Sequence, residues 1–384
     1  MQKEKGAIFQ MTPEMFGPLW KYVNDDTITD IDYNGRDLWL TDSQNHKWKE
    51  LGTTVTEDFI NRLAHRVSDN DTQELNQNHP VLENETERLR ISILDKSVAV
   101  SGMSICIRKT APFTRIVERE AIENSYCERE VMALLINCIK AHMNIIVCGE
   151  PRAGKTEVCK FLSRYIPNDE RVITVEDTME WRYRKLKPQS DCIEMKVGGK
   201  FTYEDGIIAS LKQNPRWLMI AETRGNEVKN LIQGFSTGVH GMTTLHTDEV
   251  EKIPQRMVNM IDDSSIEQRF ANNIYEFVDV GVLVSIHVDA EGNRKRRIDQ
   301  VGFFAFDDEE PSCTYLVRGG RVIRKELKKS SRRKFSEAGI RDIYQNDELD
   351  KKLKSQGYDI KRNSFSGIGM IPGYLQGERY VAEG

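Results

Sequence analysis

The stretch NIIVCGEPRAGKTEVCKFL, residues 144–162, decides the fold class. Its first five residues form a nearly all-apolar run, the composition of a strand buried on both faces of a parallel sheet. Gly149 to Thr156 (GEPRAGKT) then fits G-x-x-x-x-G-K-[ST]. Val158, Phe161, Leu162 and Tyr165 follow at helical spacing. A strand, a glycine-rich turn and an amphipathic helix make the context in which that motif grips phosphate. Glycines let the backbone fold round an anion, so several N–H groups and the positive end of the helix face it. Gly149, Glu150, Pro151, Arg152, Ala153, Gly154, Lys155, Thr156 and Glu157 are therefore the expected nucleotide-contacting residues. Lys155 brings a full charge to the β- and γ-phosphates, and Thr156 offers a hydroxyl to Mg²⁺.

Working outward, the chain alternates helix and strand. Val131, Leu134, Leu135, Cys138 and Ile139 make a helical stripe before the motif. RVITV (171–175) and WLMI (217–220) read as buried strands. Thr202 to Asp205 reads as a capping box ahead of Ile207, Ile208 and Leu211, and Asn214-Pro215 stops that helix. The alternation predicts an α/β sheet with helices on both faces. VGVLVSIHV and RRIDQVGFF flank a hairpin turn at Asp289–Asn293, and beyond about Asp307 the periodicity weakens. Upstream, ITDIDY and DLWLTD flank Asn34-Gly35, a strong hairpin signal. Phe59, Ile60, Leu63, Ala64 and Val67 have helical spacing; Leu89, Ile91, Ile93 and Met103, Ile105, Ile107 alternate as strands. The expected division is a small α/β domain over 1–110, a linker over 111–124 at Ala111-Pro112, a P-loop domain over 125–310, and a C-terminal extension over 311–384.

Binding a nucleotide is not hydrolysing it, which needs acids. VEDTMEW (175–181) places Glu176, Asp177 and Glu180 at a strand end, and LMIAE (218–222) does so for Glu222. In an open α/β sheet ligands lie beyond the carboxyl ends of the strands, the edge that carries the P-loop. STGVHGMTTLHTD (236–248) adds His240 and His246. A histidine there either senses the γ-phosphate or is simply packed; no third ligand has the spacing of a zinc site.

Composition bounds the rest. The chain has 384 residues, 55 Lys+Arg against 60 Asp+Glu, and a net charge of −5. That excludes a surface built throughout for polyanions. With 39% hydrophobic and 30% charged residues, it reads as globular. The longest apolar candidates, Val131–Ile139 and Val280–Val288, are interrupted by Asn137, Ser285 and His287. Neither approaches the roughly 18 residues that cross a bilayer. The first ten residues lack the pattern of a signal peptide. Seven scattered cysteines with no C-x-x-C pair read as reduced, buried thiols in a cytoplasmic protein.

From about Thr29 to Phe304 the chain resembles the type II/type IV secretion ATPase superfamily. IRK (107–109), the P-loop, VEDT-x-E, Glu222-Thr223-Arg224-Gly225 and TTLH (243–246) stand in that family's order. Within it, the chain looks most like the tight-adherence pilus (CpaF-type) ATPases and the type IV secretion traffic ATPases. The resemblance implies a RecA-like P-loop motor domain behind a small α/β domain, with ATP and Mg²⁺ between the two. It implies a homohexamer docked on inner-membrane proteins of a secretion, pilus or conjugation machine, peripheral at the cytosolic face. It implies catalytic roles for Lys155, for Glu176 as the water-activating base, for Glu222, and for His246 at the γ-phosphate. Thr156 and Glu222 would serve the metal, and Arg108 would reach the nucleotide. Arg115 and Arg119 are candidate arginine fingers. Two departures stand out. The P-loop interior is Glu-Pro-Arg-Ala where the family has small residues, and Val239 stands where the first His-box histidine belongs, with His240 one later.

The run RGGRVIRKELKKSSRRK (318–334) holds one acid, Glu326. It reads as a solvated face, as a dock for an acidic membrane surface or a membrane partner, or as a nucleic-acid surface. No interleaved aromatics support the last, and no sequence-specific nucleic-acid binding is expected. Besides the motor, a nucleotide-gated module with little hydrolysis and a RecA-like nucleic-acid translocase stay open.

Overall fold

The computed structural model describes residues 11–43, 45–71, 74–111, 113–262, 264–289, 294–323 and 326–360. Pro112, residues 290–293 of the expected turn, residues 324–325 of the basic run and the tail 361–384 lie outside the described residues.

The first unit is a six-stranded antiparallel sheet. Its strands are β1 (Ile28–Tyr33), β2 (Leu38–Asp42), β3 (Lys47–Glu50), β4 (Val81–Glu85), β5 (Leu89–Leu94) and β6 (Ser104–Lys109), in the order β3-β2-β1-β6-β5-β4. Asn34 Oδ1 accepts from the Arg36 and Asp37 amides, and Gly35 has φ +90°, which closes the β1–β2 hairpin. Helix α1 (Glu57–Asp71) buries Ile60, Leu63, Ala64 and Val67 in one core with Ile91, Ile93, Ile105 and Ile107. Antiparallel pairing throughout brings the starts of β1, β3 and β5 and the ends of β2, β4 and β6 to one edge.

Helix α2 (Glu118–Glu123) leads into the second unit. There follow α3 (Arg129–Lys140), β7 (Ile145–Cys148), α4 (Lys155–Ser163), β8 (Val172–Glu176), β9 (Cys192–Lys196), α5 (Tyr203–Leu211), β10 (Trp217–Ile220), α6 (Glu227–Ser236), β11 (His240–Leu245) and α7 (Glu267–Phe277). Next come β12 (Val280–Val288), β13 (Arg294–Asp307), β14 (Glu310–Arg318), β15 (Arg321–Val322), α8 (Lys329–Glu337) and α9 (Asp347–Ser355). The sheet order is β15-β14-β13-β12-β7-β11-β10-β8-β9, parallel from β12 to β9 and antiparallel from β12 to β15. Strand β7 explains why its run is apolar throughout. Ile145 and Val147 enter a core with Leu134, Leu135 and Val158, while Ile146 and Cys148 enter the opposite core with Leu231, Ile232 and Ile274. The Thr202–Asp205 capping box forms at the start of α5.

The sheet does not stop near residue 310. That boundary falls at the start of β14, which pairs antiparallel with β13 through Asp308 and Glu309, both in the left-handed region. Helices α8 and α9 then fold back on the sheet. Phe335 meets Phe303 at 6.1 Å between ring centroids, and Leu349 and Leu353 are fully buried. Arg129 forks onto Asp350, and Lys334 reaches the buried Asp279 at 2.7 Å. All seven cysteines are free thiols; Cys138 and Cys148 are buried and Cys106 half-buried. Among the described residues no helix is long and apolar enough to cross a membrane.

Candidate nucleotide-binding site

The turn between β7 and α4 is shaped to bind an anion. Gly149 has φ +146°, and a Cβ there would lie 2.2 Å from the Val284 carbonyl oxygen on β12. Only glycine lets the loop pass that strand. Gly154, at φ +98°, precedes α4, and no side chain caps the helix's first turn. The first-turn amides therefore face the loop's hollow. Lys155 is nearly buried, and its ammonium donates to Gly149 O at 3.1 Å and Glu150 O at 3.0 Å. Burial lowers its pKa, and Glu222 opposes that shift.

Parallel strands bring the other groups to the same edge. Glu222 follows β10 and His246 follows β11. His246 Nε2 lies 3.0 Å from Glu222 Oε1, and its Nδ1 lies 3.2 Å from the Lys155 ammonium. The same Nδ1 lies 3.2 Å from the Gly149 carbonyl oxygen, so the ring is held between the P-loop and Glu222. Arg224 donates to the second Glu222 oxygen at 2.7 Å and approaches Asp177 at 3.7 Å. Lys155, His246, Glu222 and Arg224 thus form one connected chain of polar contacts.

The acidic box differs from expectation. Glu176 is fully buried, and its Oε2 accepts from the Glu180 and Trp181 amides at 2.8 and 2.9 Å. Its side chain turns back beneath the loop, and Oε1 has no hydrogen-bond partner. Burial raises its pKa to about 7, against the pull of those two amides. The carboxylate that meets the P-loop is Glu180, whose Oε2 accepts from the Thr156 hydroxyl at 3.2 Å. Thr156 is accordingly paired with Glu180 rather than Glu222, so the expected metal pair is not joined directly. Hydroxyl and carboxylate oxygens here still suit Mg²⁺, which takes one or two side chains and completes its shell with phosphate and water. Among the described residues no cluster of three His, Cys, Asp or Glu could hold a metal unaided.

One edge of the first sheet closes over these loops. Asp30, buried at the start of β1, pairs with Arg108 at 3.2 Å and with Arg152 of the P-loop at 3.6 Å. At the β4–β5 turn, Glu85 accepts from the Met179 amide at 2.7 Å, and Arg182 donates to Thr86 O at 2.8 Å. Arg108 also feels the charge of Glu180. It therefore stands where the two units meet.

Other candidates lie elsewhere. His240 starts β11, about 20 Å of strand from His246. It packs against His142 and Trp217, which also stack on each other, and burial lowers its pKa to about 3. Arg119 is tied to Gln356 and Glu123. The Arg115 amide donates to Glu157 at 2.8 Å, which leaves Glu157 facing the linker. Asp30 and Glu85 belong to no motif. The one trace of Asp30 in the sequence is a carboxylate amid the alternating apolar positions of ITDIDY.

The sequence pattern of the type II/IV secretion system proteins matches residues 73–344. An uncharacterised protein of Bacillus anthracis is 30% identical over 249 residues, covering 63% of this chain and 56% of that protein. The match thus spans little more than half of that relative's length. In fold, the chain is similar to the ATPase DotB of Yersinia pseudotuberculosis, with TM-score 0.61 and 16% identity over 95% of this chain and 96% of that one. It is also similar to the pilus retraction motor PilT with bound ADP, with TM-score 0.56 and 16% identity over 89% of this chain and 94% of that one. With a RecA-like P-loop unit behind a small α/β unit, and a family pattern that begins within the first unit and extends through most of the second, the chain belongs to the type II/IV secretion system protein family.

Proposed function

We propose that the chain hydrolyses ATP with Mg²⁺ and works as a homohexameric motor of a secretion, pilus or conjugation apparatus. It would act peripherally at the cytosolic face of the inner membrane, docked on membrane proteins of that apparatus. One observation carries this reading. Lys155, Thr156–Glu180 and the His246–Glu222 pair, from four separate segments, converge at one sheet edge. An edge of the other unit lies across them through Asp30, Arg108 and Glu85.

In this reading the P-loop amides and Lys155 hold the β- and γ-phosphates, and Glu180 orients the attacking water and takes its proton. His246 hydrogen-bonds the γ-phosphate, while Glu222 fixes the ring's orientation. Glu176 shapes the turn that presents Glu180. Mg²⁺, held near Thr156 and Glu180, would neutralise charge on the phosphates. Losing the γ-phosphate weakens the grip between the two units, and the resulting rigid-body motion is what a partner can use. The net charge of −5 argues against a nucleic-acid translocase.

Steady-state phosphate release tests the reading. Lys155→Ala and Glu180→Gln should each abolish turnover, and Glu180→Gln should still bind ATP. Wild-type protein that binds ATP but releases no phosphate, with Mg²⁺ and anionic vesicles present, is a nucleotide-gated module and not a motor.

A further inference from the structure

Arg296, on β13, has no part in the chemistry above, yet it touches three segments at once. Its Nε and Nη2 each donate to Arg152 O at 3.2 Å. Nη2 also donates to Asn45 Oδ1 at 2.5 Å, and Nη1 donates to Ser43 O. The Asn45 amide nitrogen lies 3.5 Å from the same Arg152 carbonyl. One planar guanidinium therefore joins a strand of the P-loop unit, the tip of the P-loop, and the β2–β3 turn of the first sheet. Only arginine carries donors in a fork wide enough to do this.

The gripped carbonyl matters because a peptide unit is planar and trans. Its C=O and the following N–H point in opposite directions. Here the N–H is that of Ala153, which points across the loop to Glu150 O at 3.2 Å. Holding the carbonyl from outside fixes how that peptide faces the hollow. Arg152 itself sits at φ +65°, a conformation unfavourable for a residue other than glycine. Its own side chain is held by Asp30 of the first sheet. The tip of this P-loop is thus shaped by contacts that the other unit supplies.

We propose that Arg296 is a positioning residue that, with Asn45, latches the P-loop tip to the first sheet. Docking of that sheet and the grip on phosphates then stabilise each other. The proposal rests on the reading of this loop as a nucleotide site. It adds which residues carry the coupling, and the coupling must be reciprocal.

The test uses the full chain and two readouts: affinity for a fluorescent ADP, and hydrogen exchange of residues 38–50 with and without saturating ADP. In wild type, ADP should slow exchange across β2 and β3. Arg296→Ala should weaken ADP binding about tenfold, the effect of losing charge-assisted hydrogen bonds. At saturating ADP it should show no slowing over residues 38–50. Arg296→Lys, a point charge without the fork, should recover affinity in part only. Asn45→Gly suits the left-handed turn and removes one of the two anchors in it, leaving the Ser43 carbonyl. It should reduce the slowing to part of its wild-type extent, and it carries the test if Arg296→Ala fails to fold. Unchanged ADP affinity in Arg296→Ala, or slowing that persists at its full wild-type extent in either variant, overturns the latch. Wild-type protein that binds no ADP instead overturns the nucleotide site itself, and the latch with it.

Discussion

Glu176 and Glu180 stand four residues apart in one acidic box, and their surroundings alone separate their roles. Counting along a strand locates both at the sheet edge but does not say which way a side chain turns. Glu176 turns under the loop and accepts two backbone amides, whereas Glu180 meets Thr156. Glu180→Gln should therefore stop phosphate release, as argued above, while Glu176→Gln should reveal itself first in stability. Burial raises the Glu176 pKa from 4.5 to about 7. Between those values the folded chain keeps a proton that the unfolded chain has released, so stability falls as pH rises through that window. Replacing the acid by its neutral isostere removes the penalty. In urea unfolding, Glu176→Gln should gain about 3 kcal/mol over wild type at pH 8 and almost nothing at pH 4.5. An equal difference at the two pH values would show that Glu176 carries no such proton. The two histidines separate in the same way. The TTLH segment carries His246, whose Nδ1 lies 3.2 Å from the Lys155 ammonium, but the sequence could not assign His240 without knowing where β11 begins. His246→Gln should lower turnover by about a hundredfold, a typical general effect of losing one group aligned on the transition state. His240→Gln should leave phosphate release within about twofold, because the ring lies at the opposite end of the strand.

At the scale of elements, the legible ones are those whose burial leaves a pattern. Strands β7, β8 and β10 are buried on both faces, so the runs of β7 and β10 are apolar throughout and that of β8 is broken only by Thr174 and Glu176, and α3 and α4 carry clean stripes. Strand β14 lies near the sheet's edge and is half-exposed along much of its length, which is why its alternation is faint and the boundary fell short. Its turn, at Asp308 and Glu309, lacks the glycine that would have marked it. Short helices such as α8 and α9 bury few side chains each, and their stripes are too brief to separate from solvated sequence. The P-loop was legible because it is constrained twice, by the phosphate-binding motif and by the strand passing behind it. That second constraint makes a prediction. Gly149→Ala meets both a left-handed φ and the Val284 carbonyl at 2.2 Å, and should cost about 3 kcal/mol in urea unfolding. Gly238→Ala shares a positive φ but has nothing within 4 Å, and should cost about 1 kcal/mol. Equal losses at the two sites would mean that β12 does not press on the loop.

At the scale of the whole molecule, the basic run poses the question that the sequence left open between a solvated face and a docking face. The fold divides the run. Lys334 is turned inward to Asp279, whose carboxylate also accepts from the Asn144 amide at the start of β7. Burial raises the Asp279 pKa and Lys334 opposes it. Lys328, Lys329, Arg332 and Arg333 are exposed instead, with Arg333 near Glu337 at 3.6 Å. Lys334→Ala leaves a buried carboxylate without its cation and should cost about 3 kcal/mol, read by urea unfolding. Replacing Arg332 and Arg333 together by alanine should move stability by no more than about 0.5 kcal/mol, because both lie on the solvent side of α8. The pair then isolates docking from folding. If the outward cations hold the chain to the cytosolic face of a membrane, the double variant should lose salt-sensitive sedimentation with vesicles containing anionic lipid while keeping wild-type phosphate release. Sedimentation that survives both the substitution and high salt would assign attachment to a protein partner or to another surface of the chain. The exposed side of α8 would then be only a solvated face, while Lys334 still holds Asp279.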